Sequence, residues 1–321
     1  MTLKRSFGAA VLGCGLVVCA ALAQAATPGE VAPATVQRML LIDAARVGTR
    51  LVAVGDRGAI LLSDDDGKSW RAAQAPAAPL LTAVAFRGDA GLAVGHDAVI
   101  LASRDRGGTW TQAFAAPAEQ RPLLDVLWID DARAIAIGAY GAFYESTDAG
   151  RTWTARKVIP DDKHLNGIVD AGGGHLVIVG EAGTILVSPD AGATWKPVDS
   201  PYKGSLFGAL VANDGAIVAF GLRGRIFRSA DRGATWKPVD NASVAALMGG
   251  DKLPDGALVL AGAAGNAFVS RDDGHSFQPI QAGTTRAFAK ALAGGPDQVL
   301  LLGEAGVRAV TVPAQPRAAK P

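Results

Sequence analysis

The chain has 321 residues, 49% hydrophobic and 19% charged, with 31 Lys plus Arg against 30 Asp plus Glu and a formal net charge of +1. This near-neutral balance excludes the basic footprint of a nucleic-acid binder or of a protein held on an anionic membrane. Its two cysteines, Cys14 and Cys19, both lie close to the N-terminus, so the rest of the chain must be held by its core without disulfides.

The first element is a secretory signal peptide, residues 1–25. Lys4 and Arg5 form its basic start, Phe7 to Leu22 is an uncharged apolar run, and Ala23-Gln24-Ala25 sets a cut before Ala26. The run falls short of the roughly 20 residues that cross a bilayer, which argues against an uncleaved anchor. A lipid-modified Cys14 is disfavoured because Arg5 stands too close to leave a full apolar region before it. The chain is therefore expected to be exported, to the periplasm or beyond the cell, with no stable membrane insertion after cleavage. About 296 residues then remain, carrying a net charge of about −1, enough to bury a large core.

From Val36 onward the same phrases recur. The stretch Val36 to Ala44 reads as a first strand and Leu51 to Gly55 as a second. The next repeat shows all four strands: Leu81 to Phe86, Gly91 to Gly95, Val99 to Ser103 and Thr109 to Phe114, joined by turns at Gly88-Asp89, His96-Asp97 and Asp105 to Gly108. Apolar runs ending in glycine mark seven second strands, at Gly55, Gly95, Gly138, Gly180, Gly221, Gly262 and Gly303. Being apolar on both faces, they suit strands sandwiched between neighbours. A second marker, S-x-D-x-G-x-[ST]-[WF], occurs six times and closes at Trp70, Trp110, Trp153, Trp195, Trp236 and Phe277, at spacings of 40, 43, 42, 41 and 41. A period near forty with four short strands predicts an all-β, seven-bladed β-propeller of four-stranded antiparallel blades over residues 26–312. Residues 313–321, rich in Pro and Ala, read as a flexible tail.

Seven glycine markers against six Asp motifs leave the seventh blade incomplete. It has the strand Val307 to Val312 and no motif after it. Open edges invite aggregation, so residues 28–35, which precede the first strand of blade one, are expected to supply the outer strand of blade seven and close the ring.

The motif itself has a mechanical reading. Asp65, Asp105, Asp148, Asp190, Asp231 and Asp272 can accept hydrogen bonds from the N–H groups of their own turns, and the aromatic that follows starts strand four between two blades. Six equivalent copies cannot share one active site. A calcium loop is rejected because Asp64-Asp65-Asp66-Gly67 lacks the alternate ligand spacing and the distant Glu of such loops.

With these motifs the chain resembles the Asp-box, or bacterial neuraminidase repeat, propellers. The longer phrase, carried by Val54 to Ser63 and by Val179 to Ser188, is most similar to the photosystem II assembly/stability factor family. The resemblance covers blades one to six and, more weakly, blade seven. It implies a seven-bladed propeller without chemistry of its own that binds partner proteins during assembly of a membrane complex. Photosynthesis enters only as the family's label, since similar exported proteins occur in bacteria that do not photosynthesise.

In such propellers the Asp boxes share one face, and the turns between strands two and three share the other with the inter-blade loops. Candidate partner-binding residues on that second face are Arg57, His96, Tyr140, Glu181, Arg223, Arg225 and Arg286. The expected partner is a protein, membrane-associated, bound by a monomer. Two alternatives remain: a glycan-binding or glycan-cleaving Asp-box propeller, and an accessory protein of a membrane exporter. A sialidase needs arginines around a carboxylate, a Tyr nucleophile and a Glu beside it. Arg57, Arg121, Arg223 and Arg286, Tyr140 and Glu181 are the only residues that could serve. Loops this short build no deep pocket, and no catalytic residue is assigned. No cofactor or metal is expected either: His96, His164, His175 and His275 are scattered over separate repeats, and no Gly-rich loop opens a helix.

Overall fold

The computed structural model describes residues 29–295 and 297–312. The signal peptide and the 313–321 tail read from the sequence lie outside the described residues. Seven antiparallel sheets follow one another along the chain, each running from an innermost to an outermost strand. The innermost strand of blade one, Leu41–Val47, packs beside that of blade seven, Phe288–Ala293, so the sheets form a ring. Second strands such as Leu51 to Gly55 and Leu176–Gly180 are buried throughout, because each lies between two neighbouring blades.

The Asp boxes fold as their residues dictate. In blade one Ser63 Oγ donates to Asp65 Oδ1 at 2.8 Å, while Asp65 accepts from Ser69 N at 2.9 Å and Ser69 Oγ at 2.7 Å. Trp70 Nε1 then donates to Gly67 O at 3.0 Å. The bonds from Ser69 N–H and its hydroxyl hold the Asp65 carboxyl down to about 2, and those from the Thr194 hydroxyl and N–H do the same for Asp190. Asp148 is lowered as well, first by the Thr152 hydroxyl.

The glycine that ends each second strand is fixed by close approach. A Cβ on Gly55 would lie 2.1 Å from Leu40 O, and one on Gly303 would lie 2.1 Å from Ala287 O. Each innermost strand also carries a bulge at its start, at Ile42 in blade one and Leu124 in blade three.

The strand count departs from the sequence expectation at the seam between the termini. Five blades have four strands, blade one has five, and blade seven has three among the described residues. Residues 28–35 were expected to complete blade seven. Instead Glu30–Val31 pairs with Trp70–Ala72 on the outer edge of blade one. The helical turn Pro33–Val36 then leads from this strand into blade one. The ring closes by packing and bonding instead. Leu41, Leu51 and Trp70 share a core with Leu292, Leu300 and Leu302, and Gly306 N donates to Met39 O at 3.0 Å. The bonds from Ala98 N to Arg121 O and from Gly141 N to Lys163 O join other blades in the same way.

Polar residues of the innermost strands stitch the blades around a central channel of about 450 Å³. Lys290 Nζ of blade seven meets Asp43 Oδ1 of blade one at 2.9 Å, and Asp43 Oδ2 accepts from Val84 N of blade two at 2.9 Å. Thr82 Oγ1 donates to Leu123 O at 2.7 Å, Ile168 N donates to Asp125 Oδ2 at 2.9 Å, and Asn166 Nδ2 donates to Leu206 O at 2.8 Å. Burial pushes the Asp125 carboxyl up to about 7, although its bond from Ile168 N opposes the shift.

These shifts set opposite slopes of stability with pH. Asp65 and Asp190 titrate lower folded than unfolded, so the stability they contribute is present above pH 3.8 and is lost as the pH falls towards about 2. Asp125 titrates higher when folded. Its contribution is present below pH 3.8 and is lost as the pH rises through about 7. The melting temperature is expected to drop steeply below about pH 4. Asp125→Asn should flatten the decline between about pH 4 and about 7 and leave the limb below pH 4 unchanged, which thermal melts across the pH range would read.

Candidate functional site

The face opposite the Asp boxes is built from tight turns of the form Gly-x-x-Gly and from the loops between blades. The third residue of the turn is left-handed in six blades: Arg57 (φ 54), Asp97 (φ 57), Tyr140 (φ 56), Ala182 (φ 53), Arg223 (φ 59) and Ala264 (φ 56), blade two carrying Ala98 where the others have the second glycine. Because the conformation recurs whatever the side chain, it belongs to the fold and does not itself mark a site. The second glycine packs tightly against the inter-blade loop that follows. A Cβ on Gly183 would stand 1.9 Å from Tyr202 O, and one on Gly265 would stand 1.9 Å from Thr284 O. The turn is thus pressed against the next inter-blade loop, and its middle side chain is left projecting outward.

All seven residues singled out from the sequence lie on this face. Arg57 is almost fully exposed and stands 3.5 Å from its neighbour Asp56. Arg223 and Arg225 share the blade-five turn, and Arg286 lies in the loop leading into blade seven; all three are exposed. His96 is also exposed. Tyr140, 51% exposed, meets the His164 ring edge-on at 4.9 Å, and Glu181 Oε2 accepts from His164 N at 3.1 Å. The fold therefore gathers Tyr140, His164 and Glu181 at the seam of blades three and four, beside an open cavity of about 250 Å³ that Arg121 and Asp161 also line. It does not gather the arginines into one cluster, since blades six and seven stand between Arg57 and Arg223. The Glu181 carboxylate holds the loop at His164 and is not bonded to Tyr140.

Sequence reasoning missed the apolar part of this face. Among the described residues, the exposed large hydrophobics are Tyr140, Leu222 at 38%, Val244 at 87% and Met248 at 42%. All four belong to this face. Leu222 is in the turn of Arg223, Val244 is in the loop leading into blade six, and Met248 is the bulged residue of that blade's innermost strand. The bulge pattern was the available signal: Ile42, Leu124, Phe207 and Met248 all stand one residue after the start of an innermost strand. Arg223, Arg225, Leu222, Val244 and Met248 make blades five and six a cationic and apolar sector. Asp97, Glu119, Asp161, Asp162 and Glu181 concentrate acid on blades two to four.

Among the described residues no group of three His, Cys, Asp or Glu side chains could hold a metal ion, and no helix is long and apolar enough to cross a membrane.

The comparisons with known proteins agree with this architecture. A solved structure described as YCF48 bound to D1 peptide superposes with a TM-score of 0.70 at 22% identity, covering 87% of this chain and 95% of that one. YCF48 from Cyanidioschyzon merolae does so with a TM-score of 0.66 at 17% identity, covering 86% and 97%. The GH74 xyloglucanase from Xanthomonas campestris matches with a TM-score of 0.68 at 15% identity, covering 88% of this chain and 53% of that one. At these identities the likeness shows the fold alone. No curated protein matches the chain. The model of the photosynthesis system II assembly factor YCF48 family matches residues 112–308, more than half of the sequence, and the chain belongs to that family.

Proposed function

We propose that this protein is an exported, non-catalytic propeller that binds a segment of a membrane-associated protein during assembly of a larger complex, and that it does so on the face opposite the Asp boxes. One observation carries the reading. Every exposed large hydrophobic side chain among the described residues lies on that face, together with Arg57, Arg223, Arg225 and Arg286. Exposed apolar residues beside arginine are the composition of a recognition surface, because arginine pairs and stacks while the apolar groups gain from desolvation. A relative of the same fold is described as bound to a D1 peptide, which supports a peptide-binding role.

The test is charge reversal. Arg57→Glu with Arg223→Glu is expected to change stability by less than about 1 kcal/mol, since both side chains are solvated. The same double variant should lose the membrane protein that the wild type retains from detergent-solubilised membranes, identified by mass spectrometry. Retention at the wild-type level would remove the arginines from the site. Hydrolysis of a glycan by the wild type, lost in Tyr140→Phe, would replace the reading with the glycosidase alternative.

A further inference from the structure

The central channel is built in layers. At its mouth, on the face opposite the Asp boxes, stand the bulged residues of the innermost strands. Ile42, Leu124, Phe207 and Met248 make this collar mainly apolar. The next residue of each strand forms the layer beneath. It is Asp43 in blade one, Asp125 in blade three and Lys290 in blade seven. In blades four, five and six it is Gly167, Gly208 and Gly249. Charged side chains therefore face bare backbone across a cavity of about 450 Å³.

The charges of this layer do not balance. Lys290 pairs with Asp43 at 2.9 Å. Asp125 accepts main-chain bonds from Val126 N at 2.8 Å and Ile168 N at 2.9 Å and, among the described residues, has no ion pair. Asp251, two residues deeper than Gly249 along the same strand, is a third carboxylate acting on the same lysine. Buried charge is normally paired, yet one ammonium here serves three carboxylates. Burial pushes the Asp125 carboxyl up to about 7 and raises that of Asp251 as well. A metal ion does not suit the site. Main-chain N–H groups on different strands hold the three carboxylates, and among the described residues no three of them gather to chelate one.

We propose that the channel binds a primary ammonium group carried on an aliphatic stem. The ammonium pairs with Asp125, and the stem lies within the collar of Leu124, Phe207 and Met248. Such an ion needs one carboxylate to face it and an apolar wall beside it, the usual mixture of a small-ligand site. It also offsets the negative charge that Lys290 leaves uncompensated. A lysine side chain of a bound protein and a free alkylamine share this chemistry.

The probe is n-hexylammonium, with n-hexanol as its uncharged counterpart, titrated by NMR against the full chain labelled at its methionine methyl groups. The chain has three methionines, Met1, Met39 and Met248. The Met248 signal, at the mouth, should shift saturably, while that of Met39, packed at the seam of blades one and seven, should not. At pH 8 hexylammonium is expected to bind about tenfold or more tighter than hexanol, and in Asp125→Asn the two affinities should come within about threefold. In the wild type the preference should also fall at pH 5.5, where the Asp125 carboxyl is protonated; Asp43 of blade one and Lys290 of blade seven are the charged groups that act on it. A blocked Ala-Ala-Lys-Ala-Ala peptide separates the two sources. Binding tighter than that of hexylammonium assigns the site to a docked lysine, and weaker binding assigns it to a free amine. No partner protein enters the test, so its outcome is independent of the function proposed above. Equal affinities for hexylammonium and hexanol, a preference unchanged in Asp125→Asn, or a Met248 signal that does not move overturns the proposal.

Discussion

Trp153→Ala is expected to lower stability by about 3–5 kcal/mol, the cost of truncating a buried tryptophan in a close-packed site. Trp153 is 8% exposed and packs with Leu92, Val94 and Ala136 between blades two and three, while its Nε1 donates to Gly150 O at 3.3 Å. The loss therefore combines a cavity with an unanchored Asp box. Tyr140→Ala is the comparison. That side chain stands on an exposed turn and gives up only its edge-on contact with His164, so the change should cost less than about 1 kcal/mol. Equal shifts of the urea midpoint would show that Tyr140 carries structural weight. Trp195→Phe is a finer control: Trp195 Nε1 has no hydrogen-bond partner, unlike those of Trp70, Trp110 and Trp236, so removing it should be close to neutral.

The second large effect is expected at the seam where the chain meets itself. Lys290→Met should destabilise by about 2–4 kcal/mol at pH 8, because it leaves Asp43 without its ion pair in a channel poor in cations. Burial alone would lower the Lys290 pKa, but the charges of Asp43 and Asp251 outweigh it and the ammonium is held above its ordinary range. The deficit should shrink as the pH falls below about 7 and the Asp125 carboxyl, raised by burial, protonates. Hydrogen exchange would locate the damage. Blades one and seven should lose protection before blades three to five, since Lys290 and Asp43 join the seam that, among the described residues, no shared strand closes. A uniform loss of protection would count against that seam as the weak point. Asp43→Asn should be milder, because an amide can still accept from Val84 N.

The sequence alone determined the architecture. Seven glycine-ended apolar runs and six Asp boxes are local devices, each decided within a few residues by turn chemistry and by the close approach at Gly55 and its equivalents. That is why blade number, strand order and the role of the Asp boxes could be read without coordinates. The side on which Arg57, Tyr140 and Arg223 stand followed from the same alternation of turns. What only the tertiary structure decided are the relations between blades. The mismatch of seven glycine markers to six Asp boxes pointed residues 28–35 to blade seven, yet Glu30–Val31 pairs with blade one, because two open edges compete and the local sequence does not choose between them. Asp43, Asp125 and Lys290 look like isolated polar residues in apolar strands until the ring brings them around one channel. Leu222, Val244 and Met248 are ordinary apolar residues in the sequence, and their exposure depends on the neighbouring blades leaving them uncovered. Local hydrogen bonds and backbone sterics are set by residues close together in the chain. Burial and charge pairing are set by residues roughly one repeat apart, or by the two ends of the chain, and no short stretch of sequence fixes them.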